Sequence, residues 1–186
     1  MNEQDDYQII QKIVAGEHDL FQVIVDRYKN LVFSIALRSL HNYEEAEDLA
    51  QESFLRAFRF IHTYKPAFKF STWISRIVIN LYRDSFKKGK LLISDSEELE
   101  TKADEKNNPE IETLRNIKRE DIVSIIRRLD EKYQEVVMLY FFDEFSYDEI
   151  GTILGIPMGT VKSRLNRAKV ILHDEYGKQL KKWREI

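Results

Sequence analysis

"SYDEIGTILGIPMGTVKSRLNRAK", residues 146–169, reads as two helices joined by a tight turn. Ser146 and Glu149 stand three apart, the spacing at which the two side chains satisfy each other's free amides at a helix start. Ile150, Ile153 and Leu154 keep helical spacing until Gly155, a natural residue for the left-handed conformation that ends a helix. After Pro157 a second pattern opens, with Val161, Leu165, Ala168 and Leu172 on one stripe. A short capped helix, a glycine-containing turn and a longer basic helix are the parts of a helix-turn-helix. With Val161 inward, Lys162, Ser163, Asn166 and Arg167 fall on the outward face, and Arg164 and Lys169 flank them. Side chains so placed reach base edges in the major groove while their neighbours touch phosphates. A terminal helix can be basic for solubility alone, but the cap and turn before it favour DNA.

The rest of the chain keeps the same period. Leu20, Phe21, Ile24, Val25, Tyr28, Leu31, Val32 and Ile35 predict an amphipathic helix over 18–40. In "HNYEEAEDLAQESFLRAFRFI" (41–61), Asn42 is the predicted N-cap and Ala46, Ala50, Phe54, Ala57, Phe58 and Ile61 the inward stripe. Ile122, Ile125, Ile126 and Leu129 precede the apolar piece "EVVMLYFFDEF" (135–145), whose run Tyr140, Phe141, Phe142 is assigned to the core, though apolar enough to serve an interface too. Only 6 Gly and 3 Pro interrupt 186 residues, too little punctuation for a turn-rich β fold. The expected class is all-α, two small helical domains over 1–90 and 113–186. Between them, residues 91–112 lose periodicity, and eight acids against two lysines over 94–112 mark an acidic linker.

"FKFSTWISRIVINLYRDSFKK" (68–88) raises a separate question, because it is basic in a chain of formal charge −3. Taken as a helix capped by Ser71, it turns Ile74, Ile77, Val78 and Leu81 to the core. Arg76, Asn80, Arg83 and Lys87 then form one polar stripe at i, i+4, i+7 and i+11. Trp73 borders that stripe, and Tyr64 and Phe70 enter from the preceding loop. Cations neutralise phosphates, an amide reads a base edge, and rings accept unstacked bases at about 1–3 kcal/mol each. This is equipment for single-stranded DNA. A solvated basic face over core aromatics is the plainer alternative.

Glu44 and Glu45 suit the first turn of their helix, where the dipole favours negative charge. Asp48, Gln51 and Glu52 lie beyond it at i, i+3 and i+4, an acidic patch that repels DNA and so should face a protein. A carboxylate metal site is a rival that lacks any Glu-x-x-His pair on a helix. Without cysteine there is no disulfide framework, no thiolate zinc site and no thiol nucleophile. No metal, cofactor or enzymatic reaction is expected. "MNEQDDYQII" has no basic segment followed by an apolar one, and no apolar run nears the roughly 20 residues of a membrane span. A cytoplasmic protein is expected.

In combination, "AEDLAQE", "FSTW" followed by Asn80, and "GTVKSR" closely resemble the extracytoplasmic-function sigma factors of bacterial RNA polymerase, across nearly the whole chain outside the linker. The resemblance implies that 1–90 is sigma domain two and 113–186 sigma domain four, with no third domain between. It places Asp48, Gln51 and Glu52 in the surface for the polymerase clamp helices. Tyr64, Phe70, Trp73, Arg76, Asn80 and Arg83 fall where a flipped non-template base of the minus-ten element is captured. Lys162, Ser163, Arg164, Asn166, Arg167 and Lys169 fall on the helix for the minus-thirty-five element. Implied partners are core polymerase (clamp helices and flap), promoter DNA in double- and single-stranded form, and an anti-sigma factor. Nucleoid association through polymerase is implied too. Ile79 departs from the family pattern, since many members carry a basic or small residue just before the Asn80 position. A stand-alone helix-turn-helix regulator of duplex operators is the alternative, and it leaves the Asp48 patch without a purpose.

Overall fold

A computed structural model describes residues 3–93 and 126–180, and every element among them is helical. The chain divides into two compact units, one holding helices α1 (Glu3–Val14), α2 (Phe21–Leu40), α3 (Tyr43–Phe60) and α4 (Phe70–Ile93). The other holds α5 (Glu131–Phe141), α7 (Met158–Leu180) and the start of α6 (Tyr147–Leu154). Short 3₁₀ turns, His18–Leu20 and Ile61–Thr63, precede α2 and follow α3. The central acidic segment from residue 94, residues 113–125 with Ile122 and Ile125, and the side chain of Lys87 lie outside the described residues. Helix α4 continues to Ile93, three residues into the stretch assigned to the linker.

In the first unit α2, α3 and α4 pack on one another. Ile24, Val32 and Ile35 of α2 meet Ala46 and Ala57 of α3 and Ile74 and Val78 of α4 in a core where none is more than 3% exposed. Each large side chain buried this fully contributes about 1.5–3 kcal/mol. Small residues on α3 let the helices approach. Buried Ser53 is accommodated because its hydroxyl donates to the Leu49 carbonyl at 2.6 Å, inside its own helix. Asn42 caps α3 as predicted, its side chain accepting from the Glu45 amide at 3.3 Å.

Four details differ from the sequence expectations. Helix α1 is an element that the sequence patterns above do not mark; it buries Ile10 and Ile13, and Asp6 on it is only 2% exposed. Ser71 is not the cap of α4, which starts at Phe70, so Ser71 lies buried in the first turn. The buried arc of α4 also takes in Ile79 and Tyr82, while Ile77 and Leu81 are half-buried. Packing by α2 and α3 together covers more of a helix than one amphipathic stripe suggests. Phe58, placed in the inward stripe of α3, is 38% exposed at the edge of the bundle.

In the second unit the predicted box is complete. The Ser146 amide donates to Glu149 Oε2 at 2.8 Å, and Ser146 Oγ accepts from the Glu149 amide at 3.3 Å. Gly155 takes φ +67° and ends α6. Gly151 is required for another reason: a Cβ there would sit 2.9 Å from the Ile156 carbonyl oxygen, backbone that cannot step aside. Val161 and Ala168 are fully buried and Leu165 nearly so, which sets the rotation of α7.

Candidate nucleic-acid interface

Three aromatic rings stand at the start of α4. Tyr64 meets Phe70 edge-on at 5.4 Å and Trp73 at 5.8 Å, and Phe70 lies tilted against Trp73 at 5.3 Å. The Tyr64 hydroxyl donates to the Phe68 carbonyl at 2.9 Å, closing the loop before the helix. Phe70 is 1% exposed and packs on Tyr28 of α2 at 5.0 Å, so it seats the other two rings and offers no face of its own to a base. Trp73 and Tyr64 are half-buried, rigid but reachable. Phe68, not singled out from the sequence, is 51% exposed beside them.

The seat itself is tied to α1. The Tyr28 hydroxyl donates to Asp6, and the two Arg27 bonds, to Asp6 and to Asp5, are both 2.6 Å long. Burial, then the bond to Asp6, push the Tyr28 phenol far above its ordinary range, while the bonds to Asp5 and then Asp6 raise the Arg27 guanidinium. Burying a carboxyl group is costly without such hydrogen-bond partners. Asp6, Tyr28, Phe70 and Trp73 therefore form one continuous stack from α1 to the surface.

Arg76 and Asn80 are exposed one turn apart on α4, Trp73 lies two turns before Asn80 on the same side, and Arg83 is half-buried. Ile79 is 3% exposed, so the position that departs from the family pattern faces the core and adds nothing to the polar stripe. An anionic strand could run along this side with a base against Trp73 and Tyr64.

On α7, Lys162, Ser163, Asn166, Arg167 and Lys169 are exposed and Arg164 is half-buried, the arrangement expected with Val161 inward. The Ser163 hydroxyl donates to the Thr160 carbonyl at 3.0 Å. The aromatic run assigned to the core is largely outside it: Tyr140 is 36% and Phe141 57% exposed, because α5 buries Val136 to Leu139 and turns its last residues outward.

Asp48, Gln51 and Glu52 are all exposed on α3. Beside them an open groove of about 780 Å³ runs between α2 and α3, lined by Phe21, Val25, Phe54, Leu55 and Phe58 among others, with Gln51 at its edge. Leu55 is 58% exposed along it. Helical spacing alone counts Phe21, Val25 and Phe54 as core. Two adjoining helices leave a furrow that no single-helix projection can show. Among the described residues no cluster of His, Cys, Asp or Glu could hold a metal ion, and no helix is long and apolar enough to cross a membrane.

Residues 24–91 match the Sigma-70 region 2 family and residues 119–172 match Sigma-70, region 4. The ECF RNA polymerase sigma factor SigW of Bacillus subtilis is 35% identical over 175 residues, covering 89% of this chain and 94% of the relative. The fold is that of the sigma factor RpoE from Bartonella quintana, solved with the anti-sigma factor NepR, at TM-score 0.69 and 22% identity over 83% of this chain and 94% of that one. It is also that of CnrH, solved with the cytosolic domain of CnrY, at TM-score 0.64 and 20% identity over 91% and 96% of the two chains. With both regions present in order and the match running nearly end to end, the chain belongs to the extracytoplasmic-function sigma factors of bacterial RNA polymerase, and its role is in transcription initiation.

Proposed function

We propose that this sigma factor opens promoters by dividing recognition between its two units. The α7 helix reads the duplex minus-thirty-five element through Lys162, Ser163, Asn166 and Arg167, with Arg164 and Lys169 on the phosphates. The α4 region binds the minus-ten element, where Trp73 and Tyr64 receive a base flipped from the non-template strand, Asn80 reads its edge, and Arg76 and Arg83 hold the backbone. Phe70 acts from below, as the seat of the rings. Domain two, 1–90, holds the polymerase clamp helices on Asp48, Gln51 and Glu52. Domain four, 113–186, docks on the flap, and the acidic tether between them follows the nucleic-acid path of the polymerase.

The observation that carries this reading is the ring cluster with its buried anchor beside exposed Arg76 and Asn80. Opening then needs no covalent step: tighter binding to the unpaired strand than to the duplex shifts the equilibrium toward the open form. Core polymerase and promoter DNA are the partners. An anti-sigma factor is a further one, by analogy with the RpoE complex. Acting on polymerase, the protein works in the cytoplasm and at the nucleoid. Run-off transcription with bacterial core enzyme across a promoter library tests the whole. Promoter-dependent initiation is expected, and its absence with the folded chain overturns the proposal.

A further inference from the structure

We propose that Tyr147 is a positioning residue for Lys162: its ring seats the lysine ammonium on the DNA-facing side of α7 and thereby sets part of the base preference. This rests on the reading of α7 as the helix for the upstream element. Tyr147 opens α6 and Lys162 lies in the first turns of α7, and the Lys162 ammonium stands 5.9 Å from the centroid of the Tyr147 ring. That is within the range at which a ring face attracts a cation. Among the described residues Lys162 makes no ion pair with a carboxylate, so the ring is the group that orders it.

The ring is held as well. Tyr140 lies against Tyr147 at 5.3 Å with planes 38° apart, and Phe141 meets Tyr140 edge-on at 4.9 Å. Tyr147 also follows Ser146, whose capping box pins the first turn of α6. A lysine alone is a flexible point charge of poor geometric specificity. Seated on a fixed ring, it loses less freedom when it meets a base or phosphate, and it meets the same one each time. The aromatic end of α5 and the first helix of the motif thus act on DNA through a side chain of the second.

The test uses the full chain with bacterial core polymerase and a duplex promoter pool randomised across the upstream element, sequenced after selection. Lys162→Met should lower enrichment about tenfold and relax preference at one or two base positions. Tyr147→Leu should lower it about threefold and relax the same positions, while Tyr147→Phe, which keeps the ring, should match the parent. Lys162→Met with Tyr147→Leu should be no worse than Lys162→Met alone. If Lys162→Met is impaired but Tyr147→Leu is neutral, or the two losses multiply, Tyr147 does not act through Lys162. A uniform loss across all positions for Tyr147→Leu would mean a folding defect and also overturns the proposal. A neutral Lys162→Met instead sinks the reading of Lys162 itself, and this inference with it.

Discussion

The Tyr28 hydroxyl donates a hydrogen bond to the buried carboxylate of Asp6, 22 positions earlier in the chain. With Arg27 on the same carboxylate, this joins α1 to the helix that seats Phe70. Asp6→Ala strands a buried hydroxyl and half the guanidinium, so the first unit should lose about 3 kcal/mol in urea unfolding. Asp5→Ala removes only the more exposed partner of Arg27 and should cost under about 1 kcal/mol. Equal effects would deny the carboxylate at position 6 its special place.

The raised Tyr28 pKa has a pH consequence with a definite sign. The folded protein keeps this proton above pH about 10, where an unfolded tyrosine loses it. The native state then binds more protons than the unfolded one, so its stability is full below that pH and falls as pH rises. Thermal unfolding between pH 8 and 11, about the range in question, should show this decline in the parent. Tyr28→Phe should be less stable at pH 8 and decline less. Parallel curves would refute the assignment.

Gly151 and Gly159 make an internal contrast. Gly151→Ala places a methyl against the Ile156 carbonyl oxygen at 2.9 Å and should cost about 1–3 kcal/mol. A methyl added at Gly159 would meet nothing within 4 Å, so Gly159→Ala in α7 should be neutral or stabilising by up to about 1 kcal/mol. Differential scanning of the two variants decides.

Exposed Asn80 and half-buried Trp73 should matter for strand opening alone. Asn80→Ala or Trp73→Ala is expected to reduce open-complex formation tenfold or more, about 1–3 kcal/mol per base contact. Permanganate reactivity of promoter thymines reads opening, and footprinting upstream reads duplex contact, which should persist. Joint loss of both signals would argue against two separate sites.

The acidic face of α3 predicts a different defect. Asp48→Lys reverses an exposed charge beside the apolar groove and should weaken core-polymerase binding about tenfold, more at low salt than at high. Glu44→Gln, in the first turn of the same helix, should change binding little. A stand-alone regulator would be indifferent to Asp48→Lys.

Much of the fold is legible because local rules act over three or four residues. The Asn42 cap, the Ser146–Glu149 box, the left-handed Gly155 and the outward set on α7 all follow from spacing, and each is found where spacing puts it. The misreadings share one cause. Phe70 looks like a loop aromatic until Tyr28 is packed on it, and the core stripe of α4 looks narrower, without Ile79 and Tyr82, until α2 and α3 both close on it. Phe58 looks like core when its helix is read alone, yet it borders a groove that needs α2 to exist.

Periodicity, capping and charge therefore settle which segments are helices and which sides of them are polar, since those are properties of neighbours in sequence. Which tyrosine seats Phe70 from below, which carboxylate is sealed from water, and which lysine rests on a tyrosine were decided by packing. Such pairings join residues far apart along the chain, and only their shared burial brings them within reach.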